Sequence, residues 1–306
     1  MKKRQIFCLL WALALMALGG CAGGSSDTEA EEAADSNAIR IAVLPTVDCL
    51  PIYVAEAEGL FDSLGVSVSL QTYGAAMDAD TAFQRGQADA VACDAVKLTI
   101  WQNRGDSVQA LFCSNLQLFL MTSHQARIKT TESIKDKIVA ITRNSGVDFT
   151  ADRILAHAKL KSDQLNRPQI NDVALRAEML CQQQYDGAIL PEPFATRCEK
   201  QGATRIIGSS QLRQANPLMV LAVSGKAKAA RKGELERVEQ ACQMAAERIN
   251  STPMAERARF LQMLPLERSD ADQAVRIPNF ELSPSVPDSL TSAVSAWAKS
   301  RKLLKK

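Results

Sequence analysis

The stretch that decides the fold is Ile39-Arg40-Ile41-Ala42-Val43-Leu44-Pro45-Thr46-Val47-Asp48, which is followed by a helical pattern from Pro51 to Phe61. Its first residues form a β-branched, apolar run that stops at Pro45, and Pro51 stands where a helix can begin without losing a backbone donor. The stretch therefore predicts a strand, a loop and a helix. In an open α/β sheet, small ligands bind at the carboxyl ends of strands, because the backbone amides at the start of the next helix point into the crevice. The loop from Thr46 to Cys49 is accordingly our first candidate for a ligand site.

The same strand-and-helix pattern recurs along the chain about every 25 to 30 residues, a rhythm typical of βα units around a parallel sheet. A second set begins after residue 121 and contains the loop 143–148, and a strand pattern at 219–223 then returns to the first set. The segments 234–250 and 289–304 carry apolar residues at helical spacing. We therefore predict an α/β protein whose second lobe is inserted in the first, with the C-terminal helices packed on the first lobe.

The first twenty residues have the pattern of an export signal. A basic start at residues 2–4 precedes an apolar run at 6–18, which at about thirteen residues is too short for a membrane-spanning helix of roughly twenty. The run ends in Leu18-Gly19-Gly20-Cys21, which resembles the lipobox of bacterial lipoproteins, whose cysteine is diacylated and becomes the mature N-terminus. We expect residues 1–20 to be a lipoprotein signal peptide and Cys21 to carry the lipid. An ordinary signal peptide with an incidental cysteine is the alternative.

Residues 21–37 contain no large apolar side chain after the cysteine and are rich in Gly, Ser, Ala and Glu. Such a segment cannot bury enough surface to offset the entropy lost on ordering, so we expect a flexible acidic tether. Removal of residues 1–20 takes away three positive charges and changes the formal charge from +2 to about −1. The mature protein is therefore near neutral, and no basic stripe with interleaved aromatic residues indicates a nucleic-acid partner.

The cysteines leave two possibilities open. Cys8 leaves with the signal and Cys21 takes the lipid, so that the remaining ones are Cys49, Cys93, Cys113, Cys181, Cys198 and Cys242. An exported protein meets an oxidising compartment, where disulfides form, yet a body of about 270 residues can build a core of free, buried thiols without them. No spacing resembles a zinc site or a C-x-x-C redox pair. If a bridge exists, we expect it between Cys49 and Cys93, which follow strands that are predicted to be neighbours.

Several motifs together resemble those of bacterial ABC-transporter solute-binding proteins, in the branch that serves nitrate, alkanesulfonates, taurine and thiamine-pyrimidine precursors. The motifs are Ile41-Ala42-Val43-Leu44-Pro45 with Pro51-Ile52-Tyr53-Val54-Ala55, Glu58-Gly59-Leu60-Phe61 with Gly65-Val66-Ser67-Val68, Phe83-Gln84-Arg85-Gly86-Gln87-Ala88-Asp89-Ala90, and Tyr185-Asp186-Gly187-Ala188-Ile189 with Pro191-Glu192-Pro193-Phe194-Ala195. Their order covers nearly the whole globular body. Only 5% of the residues are aromatic, whereas the thiamine-precursor branch is rich in aromatic residues around its ligand. The resemblance therefore implies the fold and a transport role, and it leaves the ligand open.

The resemblance implies a periplasmic-binding-protein type 2 fold, in which two lobes are joined by two crossing segments. Each lobe is then a doubly wound, mostly parallel sheet. We place lobe I at residues 38–120 and 217–306, and lobe II at residues 121–216. A ligand between the lobes contacts both of them only in the closed state, and so shifts a pre-existing equilibrium towards closure.

The candidate ligand-binding residues are those expected at the gap between the lobes. On lobe I they are Thr46, Val47, Asp48, Cys49, Gly74, Ala75, Ala76, Asp94, Ala95, Ser114 and Asn115, and on lobe II they are Arg143, Asn144, Ser145, Gly146 and Glu192. Several have a plainer structural role as an alternative. Asp94 and Ser145 are favourable helix caps. Arg143 can pair with an anionic ligand in bidentate fashion, or simply with Glu192 or a solvent-facing acid.

The sequence carries no recognisable catalytic motif. His124 and His157 are the only histidines, and neither has a partner at the spacing of a metal site or a catalytic triad. The motifs G-x-S-x-G and H-E-x-x-H and the Gly-rich phosphate loop are also missing. We therefore expect no catalytic residue, no metal and no cofactor.

These observations predict a lipid-anchored protein on the extracytoplasmic side of a membrane that captures a small organic or anionic solute and delivers it to an ABC permease. Its partners are then the solute, the permease and ATPase subunits, and the membrane through the lipid, and the protein is a monomer that binds no nucleic acid. Two alternatives remain. One is a sensory or scaffold lipoprotein with the same two-lobed body, and the other is an exported enzyme on this fold.

Overall fold

Strands and helices alternate in the computed structural model, which describes residues 37–212, 217–267 and 275–304. The strands are β1 (Ile39–Val43), β2 (Val68–Thr72), β3 (Ala90–Asp94), β4 (Val108–Asn115), β5 (Leu118–Thr122), β6 (Val139–Ala140), β7 (Gly187–Pro191), β8 (Thr204–Gly208) and β9 (Leu218–Ser224). The α-helices are α1 (Leu50–Ala57), α2 (Leu60–Ser63), α3 (Ala76–Gln84), α4 (Ala95–Arg104), α5 (Gly146–His157), α6 (Val173–Cys181), α7 (Phe194–Lys200), α8 (Gly225–Ala230), α9 (Lys232–Ser251) and α10 (Asp288–Ser300). Segments of 3-10 helix lie at Val47–Cys49, His124–Ala126, Thr131–Ile134, Ser162–Gln164, Ser209–Gln211 and Met254–Met263. None of the described helices combines the length and the apolar character that crossing a bilayer requires.

The N-terminal predictions cannot be compared with the structure. The predicted signal peptide, the lipidation site Cys21 and the tether up to residue 36 lie outside the described residues. Residues 213–216 and 268–274 lie outside them as well.

The described strands form two sheets, with the orders β2-β1-β3-β9-β4 and β6-β7-β5-β8. In the first sheet, β1 is parallel to β2 and β3, and β9 is antiparallel to both β3 and β4. In the second sheet, β6 is parallel to β7, and β5 is antiparallel to β7 and β8. Each sheet therefore contains one strand that runs against the others. That strand is the one by which the chain enters the sheet from the other sheet, β5 after β4 and β9 after β8.

The opening strand, loop and helix form as the sequence predicts. β1 pairs with β2 from Ile39 to Val43, and all its side chains except that of Arg40 are buried. A short 3-10 turn leads into α1, which has a proline in its first turn. Gly59 separates α1 from α2 with a left-handed backbone, φ 66°, a conformation that glycine adopts without steric cost.

Apolar layers cover both faces of the first sheet. One layer packs α1 and α9 with residues such as Ile52 and Val238, and the other packs α4 and α10 with Trp101 and Trp297. The C-terminal helices thus lie on elements of the first sheet, as predicted. A third cluster, which includes Leu190, packs α6 and α7 against the second sheet.

Helix α5 joins the two halves of the structure. Its residue Ile154 packs in a cluster with Val139 of the second sheet, while Phe149 packs edge-on against Trp297 of α10, with ring centroids 5.5 Å apart. The Trp297 Nε1–H donates to Asp152 Oδ2 over 2.7 Å. The guanidinium of Arg301 donates to both carboxylate oxygens of Asp148, over 2.8 and 2.9 Å. We call these polar contacts the α5–α10 contact.

The predicted bridge between Cys49 and Cys93 is wrong. Both residues are buried free thiols. Although they follow or lie in the neighbouring strands β1 and β3, Cys49 belongs to the apolar layer on one face of the first sheet and Cys93 to the layer on the opposite face. Elsewhere, the Sγ atoms of Cys181 of α6 and Cys198 of α7 lie 3.0 Å apart.

Candidate functional site

A cleft lies at the ends of strands from both sheets and encloses a cavity of about 190 Å³. We call the lining from the first sheet and its helices the first-sheet wall: Leu44, Thr46, Asp48, Gly74, Ala76, Met77, Asp80, Ala92, Cys93, Asp94 and Lys97. The second-sheet wall consists of Leu118, Thr142, Arg143, Asn144, Ser145, Val147, Gln169, Asn171, Val173, Arg176 and Pro191, and Leu116 lies on the crossing segment between the two. A cavity of about 150 Å³ is large enough for benzene, so this one has room for a small solute.

The structure brings several predicted residues together at the cavity: Thr46, Asp48, Gly74, Ala76, Asp94, Arg143, Asn144 and Ser145. In the turn after β1, the side chains alternate. Thr46 and Asp48 line the cavity, whereas Val47 and Cys49 are 6% and 1% exposed and pack in the core. The prediction took the whole loop as one surface and so included two core residues.

Other predicted residues lie behind the lining. Ala75 is buried, in an isolated backbone bridge with Asp172, and Ala95 is fully buried in the first turn of α4. Ser114 and Asn115 end β4 beside β9, and Ser114 is 1% exposed. These positions lie at or after strand ends, but Ala75, Ala95 and Ser114 are buried, and none of the four lines the cavity.

Glu192 does not line the cavity, because its carboxylate is used inside the second half of the structure. Oε2 accepts the backbone N–H of Thr196 at the start of α7 over 2.9 Å, and Oε1 accepts from Arg205 over 2.8 Å. The backbone carbonyl of Glu192 accepts the N–H of Val47 over 3.0 Å and so links the two sides of the cleft. The sequence offered Glu192 as an alternative partner of Arg143. That pair does not form, because Glu192 pairs with Arg205.

The loop before α5 holds its polar atoms by local hydrogen bonds. The Ser145 hydroxyl donates to the Thr142 carbonyl over 2.7 Å and accepts the N–H of Val147 over 3.2 Å, so the capping alternative holds for Ser145. Asn144 has a left-handed backbone, φ 55°, and its N–H donates to Asp148 Oδ2 over 3.1 Å. The exposed Arg143 donates from Nη2 to the carbonyl of Arg167 over 3.3 Å.

Three carboxylates line the first-sheet wall. Removal from water raises the pKa of Asp48 to about 6, and hydrogen bonds from Thr46 oppose that shift in part. Burial likewise raises the pKa of Asp80 to about 6, against the attraction of Lys97. Burial also raises the pKa of Asp94, although the backbone N–H groups of Gly146 and Lys97 donate to it. As predicted, Asp94 caps α4, and it faces the cavity at the same time.

Among the described residues that form the first-sheet wall, Lys97 is the one base. Its Nζ lies 3.1 Å from Asp80 Oδ2. Asp48 and Asp94 form no ion pair within the described residues. With three acids and one base, the first-sheet wall carries an excess of negative charge when its groups are ionised.

Arg176 on α6 dominates the second-sheet wall. It is 2% exposed, and its guanidinium donates to three neutral oxygens: from Nε to the Ile189 carbonyl over 3.1 Å, and from Nη1 to Thr142 Oγ1 over 2.9 Å and to the Ile170 carbonyl over 2.6 Å. Burial lowers the pKa of Arg176 to about 10, so the group stays charged at neutral pH. Among the described residues it forms no ion pair, and the second-sheet wall holds no carboxylate.

The sequence prediction missed Asp80, Lys97 and Arg176, which contribute much of the charge in the cleft. Each is a charged residue on a helix face that is otherwise apolar. Asp80 stands three residues before the buried Phe83, and Arg176 three residues after the buried Val173, spacings that share a helix face. A charge on a buried helical stripe needs a partner, and that pattern was the signal available in the sequence.

The chemistry of the cleft favours binding over nucleophilic catalysis. Cys93 is the cysteine in the lining, and burial together with the nearby Asp80 and Asp94 raises its pKa well above the ordinary value. A thiol in that state is a poor nucleophile, because the thiolate is the reactive form. No histidine lines the cavity in the described part of the chain, and no group of three metal-binding side chains gathers there.

Comparisons with known proteins agree with this architecture. A family model described as the NMT1-like family matches residues 32–264, whereas no curated protein matches the sequence. The structure resembles the alkanesulfonate-binding protein SsuA of Xanthomonas axonopodis pv. citri bound to MOPS, with a TM-score of 0.72, 16% identity, and coverage of 90% of this chain and 96% of SsuA. It also resembles the ligand-binding component of an ABC-type import system of Staphylococcus aureus with zinc bound, with a TM-score of 0.74, 13% identity, and coverage of 88% and 93%. At a TM-score of 0.57 it resembles the desulfurization enzyme DSZB, with 13% identity and coverage of 87% and 93%. The chain therefore has the fold of periplasmic binding proteins, as the sequence motifs implied.

Proposed function

The chain belongs to the NMT1-like family, and on that premise we propose that it is an extracytoplasmic solute-binding protein of an ABC import system. The observation that carries the proposal is the cleft, which is lined by charged side chains from both sheets and has room for one small solute. The similar structures of SsuA and of the S. aureus import component, both named for binding a solute or ligand, support the same role.

We propose that the two sheets are the cores of two lobes, with lobe I at residues 38–120 and 217–306 and lobe II at 121–216. The two separate sheets support this division, and backbone hydrogen bonds from Val47 to Glu192 over 3.0 Å and from Val173 to Gly74 over 3.1 Å link the two sides. A solute that contacts both walls adds to these contacts only when the lobes are closed. It therefore shifts the population towards the closed form.

The ligand contacts in this proposal come from the predicted residues that line the cavity. They are Thr46, Asp48, Gly74, Ala76, Asp94, Arg143, Asn144 and Ser145. Arg176 joins them as a buried charged group of the second-sheet wall.

Cys21 is the proposed point of attachment to the membrane, through a lipid on the mature N-terminus. Metabolic labelling with palmitate should label the wild-type protein, and Cys21→Ser should abolish the label and release the protein from the membrane fraction. A labelled Cys21→Ser variant would contradict the anchor and leave solute binding untouched.

The binding role is tested by thermal unfolding of the whole protein, purified as the cell processes it, in a panel of small solutes. A solute at 100 times its dissociation constant should add about 2.7 kcal/mol to the free energy of unfolding. Ser145→Trp should fill the cleft and remove this stabilisation, whereas Ser145→Ala, which loses the hydroxyl but leaves the cleft open, should keep part of it. Stabilisation of Ser145→Trp equal to that of the wild type would show that the cleft is misplaced.

The transport role needs a separate measurement. A permease and ATPase encoded beside this gene should hydrolyse ATP faster when the solute-loaded protein is added than when the empty protein is added. Binding of a solute without any such partner would indicate a sensory or scaffold lipoprotein.

A further inference from the structure

The charges of the cleft are separated by wall. All the carboxylates of the lining, Asp48, Asp80 and Asp94, lie on the first-sheet wall, and both arginines, Arg143 and Arg176, lie on the second-sheet wall. Within the described residues, no ion pair joins a carboxylate of one wall to an arginine of the other. The two walls therefore present opposite charges to the cavity and do not neutralise each other.

The charge on the second-sheet wall is built into the structure. Arg176 is 2% exposed and donates from Nε and Nη1 to neutral oxygens. Its Nη2 makes no hydrogen bond in the described part of the chain, although Arg176 lines the cavity. A guanidinium has five N–H donors, and Asp172, the carboxylate whose attraction acts on Arg176, forms no ion pair with it in the described residues. A buried charge without a directly paired counter-ion is costly, and a solute with an acid group can form that direct pair.

On the first-sheet wall, two of the three carboxylates form no ion pair within the described residues. Lys97 forms an ion pair with Asp80 over 3.1 Å. The carboxylate of Asp94 accepts hydrogen bonds from the backbone N–H groups of Lys97 and Gly146. Asp48 receives hydrogen bonds only from its own turn, including a weak one from Cys49 over 3.8 Å. An anion that filled the cavity would face these carboxylates. A protonated amine there would pair with them.

We propose that the solute is a small zwitterion, with a protonated amine directed to Asp48 and Asp94 and an acid group, carboxylate or sulfonate, directed to Arg176 and Arg143. This inference rests on the proposed binding function and names its ligand class. A solute with one charge satisfies one wall and leaves the other uncompensated. A zwitterion satisfies both and adds no net charge to the buried cavity.

The test is isothermal titration of the whole protein with matched solutes. The zwitterions are glycine, β-alanine, γ-aminobutyrate, taurine and amino acids with larger side chains. Propionate and ethanesulfonate lack the amine, and propylamine lacks the acid. We expect the tightest-binding solute to be a zwitterion and to lose at least about tenfold in affinity, or 1.4 kcal/mol, when either charged group is deleted. The comparison of β-alanine with taurine identifies the acid group.

Variants assign each end of the solute. Asp48→Asn should weaken binding of the zwitterion but not of its amine-free analogue, whose binding it should leave unchanged or strengthen. Arg143→Gln changes an exposed side chain and should weaken binding of the zwitterion but not of its acid-free analogue. Binding of an anion or a neutral solute in preference to every zwitterion would overturn the inference and keep the binding function. Failure of every small solute to bind would overturn the binding function itself.

Discussion

The two walls of the cleft differ in where their charges come from. Asp48 of the first-sheet wall lies in the turn between β1 and α1, and Asp94 lies at the end of β3, where the geometry of an α/β sheet places ligand contacts. Arg176 of the second-sheet wall stands within the helix α6 and reaches the cavity as a buried side chain. Sheet geometry therefore places two carboxylates of the first-sheet wall, whereas the buried charge of the second-sheet wall comes from a packed helix face.

The largest effect is expected for Arg176→Met, which removes the charge that the second-sheet wall contributes from within its core. Loss of one member of a buried charge pair costs about 2 to 5 kcal/mol, so affinity for the best solute should fall about 100-fold. Titration calorimetry measures the change. The variant also loses its hydrogen bonds to Ile170 and Ile189, and should therefore unfold at a lower temperature than the wild type.

Arg205→Met is the matched control. Arg205 is also partly buried on the same side, but it pairs with Glu192 and Glu199 and does not line the cavity. We expect it to keep its affinity while it loses some stability. Equal losses of affinity in the two variants would show that the effect of Arg176 is structural, and the contrast between the walls would fail.

Gly146→Ala should disturb the first-sheet wall from the opposite side. A Cβ at Gly146 would lie 3.2 Å from Asp94 Cγ and 3.1 Å from Pro217 Cβ, so the start of α5 has to move away from Asp94. Overpacking of this kind costs about 1 to 3 kcal/mol, and we expect about a tenfold loss of affinity in titration. Gly233→Ala in α9 is the control, because its nearest outside atom is Arg237 Nη1 at 3.9 Å. Unchanged affinity in Gly146→Ala would mean that closure does not depend on this approach.

The first-sheet wall should also make binding depend on pH. A carboxyl group with a pKa of about 6, as for Asp48 and Asp80, is about nine-tenths protonated at pH 5, so an amine-bearing solute should bind up to about tenfold more weakly there than at pH 7.5. Asp48 faces Thr46, Cys49 and Asp94, and Asp80 faces Lys97 and Asp94. Titration at both pH values measures the change. Affinity that is equal at both would show that Asp48 does not contact the solute.

For the protein without solute, the effect of pH is opposite in direction: the buried carboxylates make the folded state more stable at low pH than at high pH. The folded state raises these pKa values from 3.8 to about 6, so between about pH 4 and 6 it binds more protons than the unfolded state. Its free energy of unfolding should therefore fall as the pH rises through this window. Asp48→Asn should show a smaller fall than the wild type in thermal unfolding, and a steeper one would contradict the assignment.

Local sequence was sufficient for most of the fold. The run Ile39–Val43 predicted β1 because β-branched residues precede a proline, and Gly59 predicted the helix end where the backbone turns left-handed. The periodicity did not predict which strands run antiparallel. β5 and β9 have that direction because each follows a crossing from the other sheet, and such a crossing is a property of the whole topology.

The site was predicted in part, for a related reason. Strand ends located Thr46, Asp48 and Asp94 correctly at the cavity, but residue spacing alone could not separate Asp48 from the core residue Val47 beside it. Arg176 was missed because its role depends on contacts with Thr142 and with carbonyls of other segments. Such contacts between distant parts of the chain are not visible in local sequence.

The smallest effect is expected away from both walls, at the α5–α10 contact that holds the second half of the structure against the C-terminal helix. Arg301→Gln removes an ion pair to Asp148 of 2.8 Å, but Asp148 keeps Arg167 at 3.1 Å. Since the carboxylate is not left unpaired, the cost should be at most about 1 kcal/mol. If the contact favours the closed form, the solute should dissociate from Arg301→Gln about threefold faster than from the wild type, as measured by stopped-flow competition. Lys299→Gln, at a neighbouring exposed residue, is the control and should leave the dissociation rate unchanged. An unchanged rate in Arg301→Gln would show that this contact is the same in the open and closed forms, and closure would then depend on the two walls alone.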